Sequence, residues 1–210
     1  MSRLSRKEKQ AQTRSCLMRS AAKLFAQRGF RDASIDDVAE DAGFTKGAFY
    51  ANFASKEDLF LAMLDEHFAR RVQEIERLVA ADGTDAEKAM QAGADFNRML
   101  SSDPEWQRLL FEFTAYAVRN DEFRAELVAR SQALRARLSA ALATRAEQLG
   151  IESTIPVDEL ALMIGAMARG VAAERLLEGD QVPDELFGTM LVVLMAGIRA
   201  LAAERAPAPG

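Results

Sequence analysis

The stretch Thr45-Lys46-Gly47-Ala48-Phe49-Tyr50-Ala51-Asn52 mixes small side chains with hydrogen-bond donors. Gly47 and Ala48 would let a helix approach the floor of a nucleic-acid groove. Thr45 and Lys46 would bring donors to base edges and phosphates, and the Tyr50 hydroxyl would reach a phosphate oxygen. Lys56, just beyond, would add a charge-assisted phosphate contact beside the free N–H groups that open a helix. This is the chemistry of recognition rather than of bond-making. Bond-making lacks its reagents, because Cys16 is the only cysteine and His67 the only histidine in the sequence. That pair excludes Cys/His zinc sites, internal disulfides and Cys/His catalytic pairs, and leaves any Ser/His/Asp triad dependent on His67. A carboxylate-bridged di-iron bundle, with its two Glu-x-x-His motifs, is excluded as well. No enzyme activity, cofactor or metal is expected.

Those donors need short, fixed helices. Ser34 stands three residues before Asp37, and Ser55 stands likewise before Asp58, so each serine reads as a helix N-cap with an acid to complement the positive helix end. Between them, residues 35–42 and 46–52 read as two short helices joined by Gly43-Phe44-Thr45, the spacing of a helix-turn-helix. Ile35, Val38, Ala39, Ala42, Phe44, Phe49 and Phe53 can share one small core with Ala21, Leu24 and Phe25. Helical periodicity continues along the chain, and no alternating β-branched run appears. The expected fold is all-α with about nine helices, at 10–28, 35–42, 46–52, 56–80, 85–101, 105–118, 121–149, 157–178 and 184–204.

The net charge of −5 over 210 residues conceals a gradient. Residues 1–31 carry nine basic groups against Glu8 alone, residues 32–60 are net −5, and the remainder is net −8. A basic leading arm on an acidic body suits an anionic partner at the N-terminus. The start of the chain is basic but lacks an apolar stretch after it, so it does not read as a secretory signal. The longest uncharged run, 186–198, is shorter than the ~20 residues of a membrane span and reads as a buried helix. A cytoplasmic protein with no membrane partner is expected.

The density of matches in this region has a further implication. The run Ala21-Ala22-Lys23-Leu24-Phe25-Ala26-Gln27-Arg28-Gly29-Phe30, then Ala33-Ser34-Ile35, Val38-Ala39 and Ala42-Gly43, then Thr45 to Tyr50 with Phe53, and Ser55-Lys56-Glu57-Asp58-Leu59 resembles the N-terminal domain of the TetR family of transcriptional regulators. The resemblance covers about residues 12–64. It implies a homodimer on a palindromic operator in double-stranded DNA, the third short helix in the major groove, and a larger helical C-terminal domain for ligand binding and dimerisation. The corresponding division is 1–55 and 56–210. By position, Ser34, Thr45, Lys46, Gly47, Ala48, Tyr50, Asn52 and Lys56 are the expected DNA contacts. Ala48 and Ala51 stand where some members carry larger or more polar side chains, which shifts weight to Lys46, backbone contacts and DNA shape.

The C-terminal body matches the family only in helical layout. Its last two helices, around 160–177 and 186–201, are apolar around most of their circumference and rich in Gly and Ala. Pairing them with their copies in a second subunit would bury them as a four-helix interface; an internal hairpin is the alternative. Phe96, Met99, Leu100, Trp106, Leu109, Leu110, Phe113, Tyr116, Met163 and Met167 are the large or adaptable side chains that would line an apolar ligand pocket, although a plain core uses the same types. Asp95, Asn97, Glu112 and Arg169 could orient a ligand or serve in structural ion pairs. The expectation is a ligand-responsive regulator, a repressor released from its operator by an apolar small molecule. The alternative is a dimeric DNA-binding regulator whose body takes no small molecule.

Overall fold

The computed structural model describes residues 5–149 and 155–205. Ser5 and Glu8 form a reciprocal cap that starts α1, Arg6–Asp32, earlier than residue 10. A cap, rather than an apolar face, sets that end. Gly29, at φ 78°, breaks the regular path of α1 where the sequence predicts a break. The order continues with α2 (Ile35–Asp41), α3 (Lys46–Tyr50), α4 (Lys56–Ala80), α5 (Asp85–Ser102), α6 (Pro104–Ala117), α7 (Asp121–Leu149), α8 (Val157–Glu178) and α9 (Leu186–Arg205), with a short 3-10 turn at Gly179–Gln181. Among the described residues there is no strand. Among the described residues the nine helices form the expected all-α fold, a helix-turn-helix domain followed by a helical C-terminal domain.

By packing, the chain forms two compact units, Met1–His67 with Glu105–Val128, and Phe68–Pro104 with Ala129–Gly210. The first is held by aromatic rings. Phe60 lies face to face with Phe113, ring planes 7° apart, and Phe30 sits 4.3 Å from Phe113 and 5.3 Å edge-on from Phe25. Phe25, Phe49, Phe53, Phe60, Phe113, Leu17, Leu59 and Leu64 are essentially without solvent contact. Each such ring removes a large apolar area from water, and the edge-on and tilted pairs add about 0.5–1.5 kcal/mol apiece. His67 stacks on Trp106 at 4.9 Å, so the lone histidine has a ring partner in this core.

The second unit is built on α5, α8 and α9, whose Ala89, Phe96, Leu100, Val171, Ala172, Phe187 and Leu191 form one buried cluster with Val182. Here α5 and α9 touch backbone to backbone. A Cβ on Gly93 would stand 2.5 Å from both Cα and N of Gly188. Charges brace the cluster: Arg145 meets Asp85 at 3.1 Å, Arg199 reaches the same carboxylate, and Arg175 is hydrogen-bonded to the Val182 carbonyl, Asn97 and Asp184.

The helices expected to be buried against a second subunit are partly open in the single chain. Residues 186–198 are not buried all round, since Val193 is 65% exposed, and Leu201 on α9 and Leu162, Met163 and Leu177 on α8 are also open to solvent. Gly170 and Gly197 have no neighbour within 4 Å of where a Cβ would be. The segment Leu186–Glu204 is also long and apolar enough, by length and composition, to cross a membrane, with mean hydropathy 2.0. Core helices of soluble proteins meet the same criterion. In this unit one side of α9 packs on α5, and its one interior charge, Arg199, is paired with Asp85.

The Gly93 contact yields a sharp test. Gly93→Ala should destabilise the protein by about 1–3 kcal/mol, because backbone atoms cannot swing aside. Gly170→Ala, in open space on a helix, should be neutral or stabilising by up to about 1 kcal/mol. Thermal unfolding midpoints of the two variants check this.

Candidate nucleic-acid interface

The short helices owe their geometry to the turn between them. Gly43 adopts φ 75°, its N–H donates to the Glu40 carbonyl at 2.9 Å, and the next N–H, of Phe44, donates to the Ala39 carbonyl at 2.8 Å. This is a Schellman ending, which turns the chain sharply while satisfying the last carbonyls of α2. Nothing lies within 4 Å of a Cβ built on Gly43, so glycine is required there by dihedral angle alone. Thr45 then caps α3, its Oγ1 accepting the Ala48 N–H at 3.2 Å. Phe49 is fully buried and fixes the rotation of α3, with Phe53 buried behind it.

That rotation leaves Thr45, Lys46, Gly47, Tyr50 and Ala51 exposed, with Ala48 half-buried and Tyr50 at 52% exposure. Asn52 is half-buried, its Nδ2 donating to the Ala48 carbonyl at 2.8 Å. Ser34 is exposed, but its hydroxyl is occupied: it accepts the Asp37 N–H at 3.1 Å and donates to Asp37 Oδ2 at 2.5 Å. Lys46 pairs with Asp36 at 2.9 Å, and both side chains are more than half exposed. An exposed pair of this kind is worth about 0–1 kcal/mol, so a phosphate or base edge can compete for the ammonium.

The acidic character of α2 has a local explanation. Asp37 caps Ser34 and meets Arg28 at 3.1 Å, Asp41 meets Lys23 at 2.5 Å, and Asp36 meets Lys46. The Ser34 hydroxyl and N–H, helped by Arg28, hold the Asp37 carboxyl below its usual pKa. Lys23, helped by Ser20, does the same for Asp41, while Asp36 raises that of Lys46. Three of the acids therefore orient cations instead of facing a polyanion unpaired.

Lys56 differs from the expected phosphate contact. Its Nζ donates to the carbonyls of Phe30 and Ala33 at 2.7 Å each and of Arg31 at 3.2 Å, and it lies 4.7 Å over the Phe30 ring. Three carbonyls match the three ammonium protons, so the side chain closes the end of α1. Glu112 of α6 completes that closure by accepting the Phe30 N–H at 2.9 Å. Arg14 has a role no spacing announced: it donates to the Asn52 carbonyl at 2.5 Å and lies 4.2 Å over the Phe53 ring, tying α1 to the end of α3.

The residues expected to line a pocket divide between the units. Trp106, Leu109, Phe113 and Tyr116 belong to the first, where the first three are buried in its core. The Tyr116 hydroxyl donates to Glu57 at 3.0 Å, and burial followed by Glu57 raises its pKa. Phe96 and Leu100 lie in the cluster of the second unit, Met99 and Met167 pack against it, and Met163 is 40% exposed. An open hollow of about 530 Å³ in that unit is lined by Ala86, Glu87, Met90, Gln91 and Ala94, none of them among the residues expected to line a pocket. Asn97 and Glu112 hold structural hydrogen bonds, and Asp95 pairs with Arg98 at 3.0 Å.

Comparison with known proteins agrees with this geometry. The family model for bacterial regulatory proteins of the tetR family matches residues 17–63, and that for the C-terminal part of BetI-type transcriptional repressors matches 89–202. The transcriptional activator FasR of Mycolicibacterium smegmatis is 30% identical over 110 residues, 52% of this chain and 48% of that protein. The chain thus matches only about half the length of FasR. The transcriptional repressor AcnR of Corynebacterium efficiens is 25% identical over 182 residues, 81% of this chain and 90% of its own. Among solved structures, Salmonella enterica GusR superposes with a TM-score of 0.74 at 22% identity, covering 89% of this chain and 94% of GusR. Bacillus subtilis FadR in complex with stearoyl-CoA superposes with a TM-score of 0.67 at 19% identity, covering 90% and 96%. At these identities the superpositions show the fold.

Two substitutions test the local construction. Gly43→Ala should cost about 1–2 kcal/mol through the left-handed dihedral, and Gly43→Asn less, as read by thermal melts. Lys56→Met keeps the aliphatic stem on Phe30 but removes three charged donors. It should lower stability by about 1–3 kcal/mol, shifting the urea midpoint at constant m-value. A lysine serving only as a phosphate contact would leave that midpoint in place.

Proposed function

The chain belongs to the TetR family of transcriptional regulators, which bind DNA as dimers and are not enzymes, and on that premise we propose that it is a ligand-responsive repressor acting in the cytoplasm. Residues 1–55 serve as the DNA-binding domain and 56–210 as the ligand-binding and dimerisation domain. The observation that carries this reading is the outer face of α3: Thr45, Lys46, Gly47 and Tyr50 are exposed together on a helix whose rotation is set by buried Phe49. This face enters the major groove of a palindromic operator, with Ala48 allowing close approach. Ser34, Asn52 and Lys56 border it, and Lys56 contributes through its backbone N–H rather than its ammonium.

The second copy of the chain covers the apolar side of α8 and α9, where Leu162, Val193 and Leu201 are open to water and Gly197 leaves room for close approach. Burying such a face is worth about 25 cal/mol per Å² of apolar area. An apolar molecule enters the second unit beside Phe96, Met99, Leu100, Met163 and Met167, where methionines adapt to its shape. Support comes from FadR, whose structure holds stearoyl-CoA. Because α4 is covalently continuous from Lys56 to Ala80, a shift along it reaches the base of the DNA-binding domain. The two α3 helices then cease to match successive major grooves, which repeat every ~34–36 Å.

The burial of Phe96 and Leu100 in the second unit, and separately of Leu109 and Phe113 in the first, favours a second reading, a dimeric regulator whose body takes no small molecule. One experiment addresses both. The purified protein is used to select duplexes from a random pool, and the enriched duplex is then titrated with and without long-chain acyl-CoA and other apolar compounds.

An enriched palindrome is expected, released by compounds that raise the thermal midpoint. Recovery of no sequence would sink the operator reading, and a palindrome that no stabilising compound releases would favour the second reading. Lys46→Ala should relax sequence preference and make the salt slope shallower by about one per subunit, with little change in stability.

A further inference from the structure

α1 extends well beyond the core that anchors it. Its first fully buried residues are Leu17 and Met18, whereas residues 6–12 are all exposed. At 1.5 Å per residue this projects about 16 Å of helix from Leu17 out to Arg6. Unpacked helix ends ordinarily fray. This one is locked, because the Ser5 N–H donates to Glu8 Oε2 at 2.7 Å and the Glu8 N–H donates back to Ser5 Oγ at 3.3 Å. The locked segment presents Arg6, Lys7 and Lys9, and among the described residues none of the three forms an ion pair. Farther along the same helix, Lys23 and Arg28 are neutralised by α2. Arg19 and Arg31 of α1 also lack an ion pair among the described residues, but only at the projecting end do three such cations fall within four residues.

The direction of this segment follows from Arg14. Its bond to the Asn52 carbonyl and its place over Phe53 show that the side of α1 bearing Arg14 faces the C-terminal end of α3. Lys7 lies seven residues before Arg14, two helical turns, on that same side, with Gln10 between them. The segment from Arg6 to Thr13 holds no Leu, Ile, Phe or Trp, so it has no apolar face with which to enter a bilayer. A rigid, unpaired cationic helix beside the end of α3 suits a regular array of phosphates.

We propose that the projecting N-terminal turns of α1 form a second contact with duplex DNA, in which Arg6, Lys7 and Lys9 bind backbone phosphates flanking the segment read by α3. This contact is indifferent to sequence, lengthens the footprint, and strengthens binding without altering the preferred operator. It rests on the reading of α3 as a DNA-binding helix, and the test separates the two.

The full chain and its Arg6→Gln/Lys7→Gln/Lys9→Gln variant are titrated over a range of KCl. The probes are a long duplex carrying the selected sequence, the same duplex trimmed to the recognised segment, and a long mixed-sequence duplex. The slope of log K against log [KCl] should become shallower in the variant by about 2.7 per bound subunit on both long duplexes, and by much less on the trimmed one. Both proteins should enrich the same sequence and melt at the same temperature. Equal slopes on the long duplexes would overturn the proposal, as would a lowered melting temperature, which would make the three residues structural. Equal DNA slopes together with variant-sensitive sedimentation on phosphatidylserine vesicles would assign the arm to membranes instead. If the wild type enriches no sequence, the α3 reading fails by itself, and the slopes on the mixed-sequence duplex still decide the arm.

Discussion

The broken end of α1 is the joint on which the DNA-binding unit depends. Where Gly29 leaves the helical path, the N–H and carbonyl groups of the next residues lose their helical partners, in a partly buried place beside aromatic rings. An unsatisfied buried polar group costs about 1–3 kcal/mol. Two side chains of opposite charge meet that demand: Glu112 takes the Phe30 N–H, and Lys56 takes the carbonyls of Phe30, Arg31 and Ala33. With the backbone satisfied, the Phe30 ring can sit among Phe25, Phe113 and Tyr116. The placement of α2 and α3 follows, because the chain leaves α1 only in the direction this joint allows.

Electrostatics in the same unit distributes its charges by position. Acids on α2 pair with Lys23, Arg28 and Lys46, holding local charge near balance around the turn, while the far end of α1 keeps its cations free. On the proposed reading a polyanion would meet oriented donors at α3 and, at the arm, three unpaired cations set against Glu8 alone. The lowered pKa values of Asp37 and Asp41 extend the ionised range of both acids to more acidic pH.

The second unit contains two small-residue surfaces with opposite fates. Gly93 on Gly188 is closed, backbone against backbone, and brings α5 and α9 together. Gly170 and Gly197, near the exposed Leu177 and Val193, face nothing within the chain. Composition alone does not distinguish the two, because both surfaces are Gly- and Ala-rich on apolar helices.

By itself the sequence determined the helices and the recognition motif. Ser34, Gly43 and Thr45 act through neighbours three or four residues away, so spacing alone places their caps and the turn, and buried Phe49 follows from helical period. The start of α1 at Arg6 is not legible in the periodicity, because it depends on a Ser5–Glu8 cap with no apolar stripe to mark it. Tertiary structure decided the rest, since the partners lie far apart in the chain. Lys56 reaches carbonyls more than twenty residues upstream, Arg14 meets Asn52 thirty-eight residues on, and Glu112 meets Phe30 eighty-two residues away. The same aromatic and methionine side chains could line a cavity or fill a core, and only packing in three dimensions puts Phe113 in the core and leaves Met163 exposed. Local hydrogen bonds and periodicity are written in neighbouring residues, whereas charge partners and burial depend on which distant segments meet.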